Sequence, residues 1–498
     1  MWRALLFALV ALIAADRFEE LKTQLSSSDA RMRREAVVEL AKFKSLDGWK
    51  LVIGALKDTN SQVADEAQMQ VAGIVDVASM KELLGKEGLG SKDDWVRLRV
   101  AEALGRMESP PARQVFNEVL DDKNSEVRRT LAWSIERLVR AGSSGHLKPY
   151  TAMIPALKVE KDAGVRAAGF VALAQLSKEQ PTTSSETLST GIPVLIDAAL
   201  SDKAFEVRSA GVIIARELEA DGAFAQVRPV AIDAQLGVRL NAAEFFTSSK
   251  NKRGALALVD MLEAEKNLRA RWRIVELLRG LSGLAYRLDV RPWREWVLTL
   301  SDDWHGEAKP APKFDDGDKT VTFAGLPILS ERVCFLIDLS GSVWQKNKDG
   351  KTRKSVIDDE LKKALEALPA TTEFNLIPYT AAPIPWQPGL VAADKKNVAK
   401  ALDFFTSRKD TGTGNFWDAW LVALDDPKVD TIVMLSDGAP SGGHRWNLTL
   451  MRQLMAEHNR FRRVALDAVL ADAKGRIVEE WRGMCADSGG HLVEVDLR

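Results

Sequence analysis

Cysteine and histidine are scarce in this sequence, which has two and five of them among 498 residues. Two cysteines exclude a framework of several disulfides, and Cys334 lies within an apolar run, where we expect it to behave as a small hydrophobic residue. The histidines show none of the paired spacings of a zinc site, so a zinc centre is not predicted. An excess of one charge is also absent, since 69 basic residues face 70 acidic ones. The net charge of −1 excludes the global basic field that recruits nucleic acid.

Long apolar runs are equally scarce, and the one from Ala4 to Ala15 is shorter than the roughly 20 residues of a membrane-spanning helix. Arg3 precedes this run and small residues end it, so residues 1–15 are predicted to be a secretory signal peptide. An uncleaved anchor is the alternative. No later segment is long and apolar enough to cross a bilayer. We therefore expect an exported protein that is periplasmic, cell-surface or secreted.

Residues 16–300 repeat a short pattern, an apolar residue that is usually followed by arginine, about every 30 residues. The pattern occurs at Met32-Arg33, Val63-Ala64, Val96-Arg97, Val127-Arg128, Val165-Arg166, Val207-Arg208, Val238-Arg239 and Leu268-Arg269. Polar turn residues precede each pair, and small and apolar residues at helical spacing follow it, which predicts two helices per repeat. The pattern resembles HEAT repeats and predicts an all-α solenoid. The arginines could form a ladder for an anionic ligand, but we expect each to pair with turn carboxylates of its own or the neighbouring repeat.

The chain is too long for one hydrophobic core, and its composition changes after the repeats. Residues 301–329 are predicted to be a linker, rich in Asp, Gly, Lys and Pro, followed by an extra extended segment at 320–328. Residues 330–498 then alternate between apolar runs and helical patterns. Strands are predicted at 333–338, 373–380, 431–436, 464–470 and 491–495, and helices at 358–368, 394–405, 416–424, 447–458 and 478–487. This alternation predicts a doubly wound, mostly parallel, Rossmann-like α/β domain.

Oxygen-bearing side chains follow two of these predicted strands. The first strand ends in Asp338, and Ser340 and Ser342 follow it at alternate positions, while Asp437 comes directly after the third strand. Ligands of doubly wound sheets bind at the carboxyl ends of the strands, which is where these residues fall. Carboxylates and hydroxyls suit a hard cation such as Mg²⁺ better than imidazole or thiolate would. The sequence therefore predicts a metal site at this edge of the sheet.

The Asp-x-Ser-x-Ser spacing and the second acidic loop resemble the metal-ion-dependent adhesion site of von Willebrand factor type A domains. Residues 411–415, which precede a predicted helix, correspond to the threonine loop of that family. One position departs from the family pattern, because Gly414 stands where the family has threonine. Thr413 is therefore the expected ligand of this loop, and Thr411 is the alternative.

The resemblance implies a role for each residue of the site. Ser340 and Ser342 would contact Mg²⁺ directly, Asp338 and Asp437 would act mostly through water, and a carboxylate of a partner protein would complete the coordination. Mn²⁺ and Ca²⁺ are alternative ions. The expected rim of the binding surface consists of side chains that can anchor a partner, namely Trp344, Trp386, His444 and Trp446.

The sequence thus predicts an exported, non-enzymatic adaptor or adhesion protein with two binding surfaces, the metal site and the helical repeats. Two short segments resemble enzyme motifs, but neither has the surrounding structure that those enzymes need. The Gly350-Lys351-Thr352 segment has no strand directly before it, and the Asp487-Ser488-Gly489-Gly490 segment lies in the closing loop of an α/β domain. Two alternatives are an accessory subunit that recruits or regulates a partner enzyme, and a structural scaffold with a degenerate metal site.

Overall fold

The computed structural model describes residues 15–108, 121–142, 157, 159–179, 191–218, 222–307, 321–346 and 350–496. Residues 1–14 of the predicted signal peptide and residues 308–319 of the predicted linker lie outside these residues. Contacts between residues divide the chain into two compact units, with the boundary between Ile192 and Pro193. Within the described ranges, no helix combines the length and the apolar character needed to cross a membrane.

The first unit is built of helices, each of which buries one apolar face. After a helical stretch at residues 15–24, its helices are α1 (Ala30–Lys42), α2 (Leu46–Gly54), α3 (Ser61–Val71), α4 (Val77–Leu83), α5 (Asp94–Leu104), α6 (Ser125–Arg140) and α7 (Ala163–Glu179). Short polar side chains begin them, as where Asn60 and Asn124 accept hydrogen bonds from the first turns of α3 and α6. Helix α1 packs against α2 and α3, and α6 packs against α5 and α7.

The second unit begins with helices of the same kind. These are α8 (Ile192–Leu200), α9 (Phe205–Glu217), α10 (Ala223–Val227), α11 (Leu236–Ser248), α12 (Lys252–Ala264), α13 (Leu268–Ser282) and α14 (Val290–Thr299). Helix α11 lies at the centre of this group, since it packs against α9, α12 and α13. Phe246 of α11 and Leu258 of α12 are fully buried. The predicted helical repeats are therefore present in both units.

Five of the seven repeated arginines pair with carboxylates further along the chain, as expected from the sequence. Each uses Nε and Nη2 to donate two hydrogen bonds of 2.6–3.1 Å to one carboxylate, in the pairs Arg33–Asp58, Arg97–Asp122 and Arg128–Glu160 of the first unit and Arg208–Asp233 and Arg239–Glu265 of the second. The same side chains donate through Nη1 to a backbone carbonyl six residues earlier in the chain. Satisfied in this way, these guanidinium groups stabilise the turns between helices.

The rest of the second unit is an α/β domain built on a six-stranded sheet. A hairpin of β1 (Thr322–Phe323) and β2 (Leu326–Pro327) precedes β3 (Arg332–Asp338), α15 (Arg353–Ala367), β4 (Glu373–Tyr379), β5 (Val391–Ala392), α16 (Lys395–Thr406), α17 (Phe416–Asp425), β6 (Thr431–Ser436), α18 (Leu448–Asn459), β7 (Ala465–Ala471), α19 (Arg476–Ser488) and β8 (Leu492–Val495). The strand order is β5-β4-β3-β6-β7-β8, and only β5 is antiparallel to its neighbour among the described strands of this sheet. Strands β6 and β7 are buried along their whole length, as apolar strands of a parallel sheet are.

The predicted fold class is confirmed, and the elements differ from expectation mainly at their ends. Helix α15 begins at Arg353, five residues before the predicted start, because the Thr352 hydroxyl accepts a hydrogen bond from Ser355 N. The extra extended segment is the hairpin β1–β2, and the edge strand β5 was not predicted. Cys334 and Cys485 are both buried and free, and burial raises the pKa of each thiol. The domain boundaries given by the sequence remain predictions.

Candidate metal centre

The candidate site lies where two neighbouring parallel strands end. Strands β3 and β6 pair in parallel, but the chain leaves β3 towards β4 on one side and leaves β6 towards β7 on the other. The connections diverge at this point, and such a divergence opens a crevice at the carboxyl ends of the two strands. Asp338 ends β3, Ser436 ends β6, and Asp437 follows directly. The fold therefore brings together the two acidic loops that the sequence predicted.

Asp338 is the buried carboxylate of the site, with 2% of the residue exposed. Its Oδ1 accepts a hydrogen bond of 2.7 Å from Ser340 N, and its Oδ2 accepts one of 2.7 Å from the Ser436 hydroxyl. Burial raises the pKa of Asp338 above its ordinary value, the two serines oppose this shift, and the negative charge of Asp437 adds to it. A cation bound nearby would offset the cost of burying this carboxylate.

The hydroxyls of Ser340 and Ser342 lie close to each other in the loop that follows Asp338. The loop after β3 turns into a short 3₁₀ helix at Gly341–Trp344, and this turn brings Ser340 Oγ to 3.1 Å from Ser342 Oγ. Both hydroxyls come from the Asp-x-Ser-x-Ser segment, as predicted. The arrangement concentrates neutral oxygen donors beside one buried carboxylate.

Ser436 belongs to the site, although the sequence analysis did not single it out. Its hydroxyl holds Asp338 Oδ2 and accepts a hydrogen bond of 2.9 Å from Gly438 N, so it joins the two acidic loops. Its position as the last residue of the strand before Asp437 was the available signal. Asp437 itself is half-buried, and its Oδ1 accepts a hydrogen bond of 3.4 Å from Ala439 N.

The loop before α17 closes over Asp338 with a glycine. A β-carbon at Gly414 would lie 3.4 Å from Asp338 Oδ2 and 3.7 Å from Oδ1, so the backbone of Gly414 packs on the carboxylate. Gly414 N donates a hydrogen bond of 2.9 Å to Ser441 Oγ, and Asn415 N donates one of 2.8 Å to Thr380 O. The residue that departs from the family pattern thus lies against the buried carboxylate.

The two threonines of this loop point to different neighbours. The Thr413 hydroxyl lies against Gly442, where a β-carbon would collide with it. The Thr411 hydroxyl lies 3.8 Å from the position of a β-carbon at Gly341, which is the residue between Ser340 and Ser342. Gly341 N also donates a hydrogen bond of 3.1 Å to Gly412 O, which fixes the two loops to each other.

The four aromatic and histidine residues predicted for the rim differ in exposure. Trp344 and Trp386 are half-buried and pack against the apolar core of the α/β domain. His444 is the exposed member, and its Nδ1 lies 2.9 Å from Asp418 Oδ1. This pairing lowers the pKa of Asp418, although burial of that carboxyl acts in the opposite direction. Trp446 is half-buried in the loop after His444.

The donors at this site fit a hard cation. Within the described ranges, no group of three or more His, Cys, Asp and Glu side chains is arranged to hold a metal ion. The candidate site has a different donor set, with two carboxylates and several hydroxyls, all of them oxygen. Mg²⁺ accepts such a set because it usually keeps several waters and needs few protein ligands.

The fold and these loops define the class of protein. A family model described as HEAT repeats matches residues 82–174, within the first unit. The doubly wound sheet of the second unit carries the Asp-x-Ser-x-Ser loop after β3 and the second acidic loop after β6. The chain therefore combines HEAT repeats with a von Willebrand factor type A domain.

Part of the chain is similar to inter-alpha-trypsin inhibitor heavy chain H4 of Homo sapiens. The two are 34% identical over 131 residues, which cover 24% of this chain and 13% of the human protein. The match thus spans only a small part of the relative's length. Among solved structures, BatB from Bacteroides thetaiotaomicron is 14% identical with a TM-score of 0.25, and the alignment covers 33% of this chain and 89% of that one. The SpRpn10 VWA domain is 15% identical with a TM-score of 0.26, covering 33% and 88%. Scores this low support no conclusion about this chain.

Proposed function

We propose that the von Willebrand factor type A domain binds an acidic side chain of a partner protein through a Mg²⁺ ion, with Mn²⁺ and Ca²⁺ as alternative ions. The HEAT repeats supply a second binding surface, and the whole chain is a non-enzymatic adaptor or adhesion protein. The partial likeness to a heavy chain of the inter-alpha-trypsin inhibitor is consistent with a role in protein interaction.

One observation supports this proposal above the others, namely the two hydroxyls of Ser340 and Ser342 beside the buried carboxylate of Asp338. Neutral hydroxyl ligands leave a bound cation with most of its positive charge. The ion would therefore attract a further carboxylate from outside the chain. Asp338 and Asp437 would hold waters of the ion, and the 2.7 Å hydrogen bond from Ser436 keeps Asp338 in place for this task.

The third loop contributes either Thr413, as predicted from the sequence, or Thr411. The position of the Thr411 hydroxyl beside Gly341 supports Thr411, since Gly341 lies between the two serine ligands. The Thr413 hydroxyl lies against Gly442 instead. We therefore propose that Thr411 is the more suitable ligand of the two.

Calorimetric titration of the full chain with Mg²⁺ tests the site. Ser342→Ala should weaken Mg²⁺ binding by about tenfold or more, because it removes a direct ligand, and Asp437→Asn should weaken it less. Ser407→Ala is the control, since this exposed serine of the same domain donates to Phe404 O outside the site. Mg²⁺ affinities that are equal in all four proteins would contradict the proposed site.

A structural scaffold with a degenerate metal site is the second candidate function, and Gly414 favours it. The family places a threonine hydroxyl at this position, and the glycine supplies none. In that case neither Mg²⁺ nor EDTA would change which proteins the chain captures from an envelope fraction. Loss of the captured partner on addition of EDTA, with Ser342→Ala failing to capture it in Mg²⁺, would support the adhesion role instead.

We further propose that the protein is exported, on the basis of the apolar run from Ala4 to Ala15. Removal of a signal peptide should leave a mature chain that begins near Asp16. Mass spectrometry of the protein isolated from its own host measures the N-terminus directly. A chain that retains Met1 and fractionates with membranes would indicate an uncleaved anchor.

A further inference from the structure

The opposite edge of the sheet, where β6, β7 and β8 begin, is covered by helical repeats of the same unit. Asn241 of α11 donates a hydrogen bond of 3.1 Å to Arg460 O, just before β7. Asn267 donates one of 2.8 Å to the Asp430 carboxylate, and Ser209 of α9 donates one of 3.1 Å to Phe461 O. Polar groups of the α/β domain thus find their partners on the repeats.

A cluster of charged side chains lies in this contact. Glu244 of α11 accepts from Arg216 at 2.6 Å, from Arg273 at 3.1 Å and from Arg463, which precedes β7. The side chain of Glu244 is 16% exposed, so the cluster is largely shielded from water. Burying charges of this kind is unfavourable unless each finds a partner. The stability of the α/β domain and that of the helical repeats therefore depend on each other through this cluster.

His491, the residue before β8, lies in the same contact between the repeats and the α/β domain. Its Nε2 lies 3.1 Å from Glu276 Oε1 of α13, and its Nδ1 lies 3.3 Å from Asp467 Oδ1 of β7. Its backbone N–H also donates a hydrogen bond of 2.7 Å to Asp467 Oδ1. A neutral imidazole has only one N–H, whereas two carboxylates facing both ring nitrogens require two. A carboxylate faces each ring nitrogen, and this arrangement favours the imidazolium.

We propose that His491 is permanently protonated at neutral pH and fastens the last helical repeats to the α/β domain by joining Glu276 to Asp467. Arg269 adds to this connection by donating to Gly489 O, and Arg273 lies 3.2 Å from Glu276 Oε2. This role is independent of the metal centre, which lies at the carboxyl ends of the strands.

The charged groups that face His491 account for its protonation. Burial lowers the pKa of His491, but the hydrogen bonds to Asp467 and Glu276, together with their negative charges, outweigh it and raise the pKa from 6.5 to about 9. Burial likewise raises the pKa of Glu276, and His491, Arg269 and Arg273 outweigh it and lower that pKa from 4.5 to about 2. The stability contributed by His491 is thus complete below pH 6.5 and is lost as the pH rises through about 9. That of Glu276 is present above pH 4.5 and is lost as the pH falls through about 2.

Histidine NMR of the full chain tests the protonation directly. With five histidines in the sequence, the His491 resonances can be assigned by their absence in His491→Gln. We expect a titration midpoint near pH 9 for His491. A midpoint at or below the ordinary 6.5 would overturn the proposal, and this measurement on the parent protein does not depend on the folding of any variant.

A double-mutant cycle tests the connection. The effects of His491→Gln and Glu276→Gln on the unfolding equilibrium constant should be non-additive by about tenfold or more, because the two side chains share one interaction. The matched control is the exposed pair Arg452–Asp487 of the same unit, which lies 2.7 Å apart and should couple by less than about fivefold. A His491–Glu276 coupling no larger than that of the control pair would show that His491 does not fasten the repeats. Neither measurement involves Mg²⁺, so its outcome is separate from that of the proposed metal centre.

Discussion

Substitution of Gly414 is the sharpest test of the candidate metal centre. A β-carbon at this position would lie 3.4 Å from Asp338 Oδ2, which is an ordinary contact distance. Gly414→Thr should therefore be tolerated and should place a hydroxyl beside Asp338. We expect Mg²⁺ to bind about tenfold more tightly to this variant than to the parent in calorimetric titration.

Gly414→Ala is the control for that experiment, because it adds the β-carbon without the hydroxyl. Its Mg²⁺ affinity should stay close to that of the parent. If Gly414→Thr and Gly414→Ala bind Mg²⁺ equally, the position is not part of the coordination. Weaker binding by both variants would mean that the loop needs the close approach of a glycine.

The choice between the two threonines is also a question of single side chains. Thr411→Ala should weaken Mg²⁺ binding by about tenfold, whereas Thr413→Ala should leave it close to the parent, because the Thr411 hydroxyl lies beside Gly341 of the serine loop and the Thr413 hydroxyl lies against Gly442. Calorimetry under identical conditions compares the two variants. The reverse order would return the role to Thr413, and two unchanged affinities would remove this loop from the site.

The junctions between helices depend on the repeated arginines. Arg97 is a suitable example, because its side chain is 5% exposed and donates to Asp122 and to Ser91 O. Arg97→Ala should lower the free energy of unfolding by about 2–4 kcal/mol, since it removes both guanidinium hydrogen bonds to the Asp122 carboxylate and the one to the Ser91 carbonyl. Chemical denaturation of the full chain measures the change.

Arg31→Ala is the matched control. Arg31, like Arg97, lies in the first turn of a repeat helix, but its side chain is 71% exposed beside Asp29. We expect a change below about 0.5 kcal/mol for this variant. Similar values for Arg31→Ala and Arg97→Ala would mean that the junction arginines contribute no more than surface charges.

The elements of the α/β domain could be predicted because their patterns are local. The apolar run of β3 ends at Asp338, and the strand ends at the same residue. The start of α15 was missed because Thr352 follows a polar loop, and its role as a cap depends on where the backbone of Ser355 turns. Strand β5 has two residues and pairs only through its backbone with β4, so its residues carry no periodic pattern.

Contacts between the last helical repeats and the α/β domain should stabilise that domain. Glu244 and Asn267 of the repeats hold Arg463 and Asp430 of the α/β domain. A fragment of residues 330–498 would lose the Glu244 partner of Arg463 and the hydrogen bond from Asn267 to Asp430, whereas a fragment of residues 193–498 keeps both. The longer fragment should therefore melt at a temperature several degrees higher, measured by circular dichroism. Equal melting temperatures would show that the repeats do not stabilise the domain.

The sequence also predicts that residues 16–300 fold alone as a helical array, since each repeat contacts its neighbours. In the structure, α11 and α13 carry Glu244 and Glu276, whose partners include Arg463 and His491. We therefore expect α11 and α13 to exchange amide hydrogens faster in the 16–300 fragment than in the full chain. Equal protection in both would mean that the repeats need nothing from the α/β domain.

Local patterns were sufficient for the fold class, for the strands that end at Asp338 and Ser436, and for the oxygen-bearing side chains in the loops that follow them, because periodicity and strand-end loops are properties of short segments. The roles of Ser436 and His491 required the folded chain, because each acts on residues far away in sequence: Ser436 on Asp338, and His491 on Glu276. The same reason applies to the third loop. The sequence favoured Thr413 over Thr411, but the direction of each side chain depends on loops that meet only when β3 and β6 lie side by side.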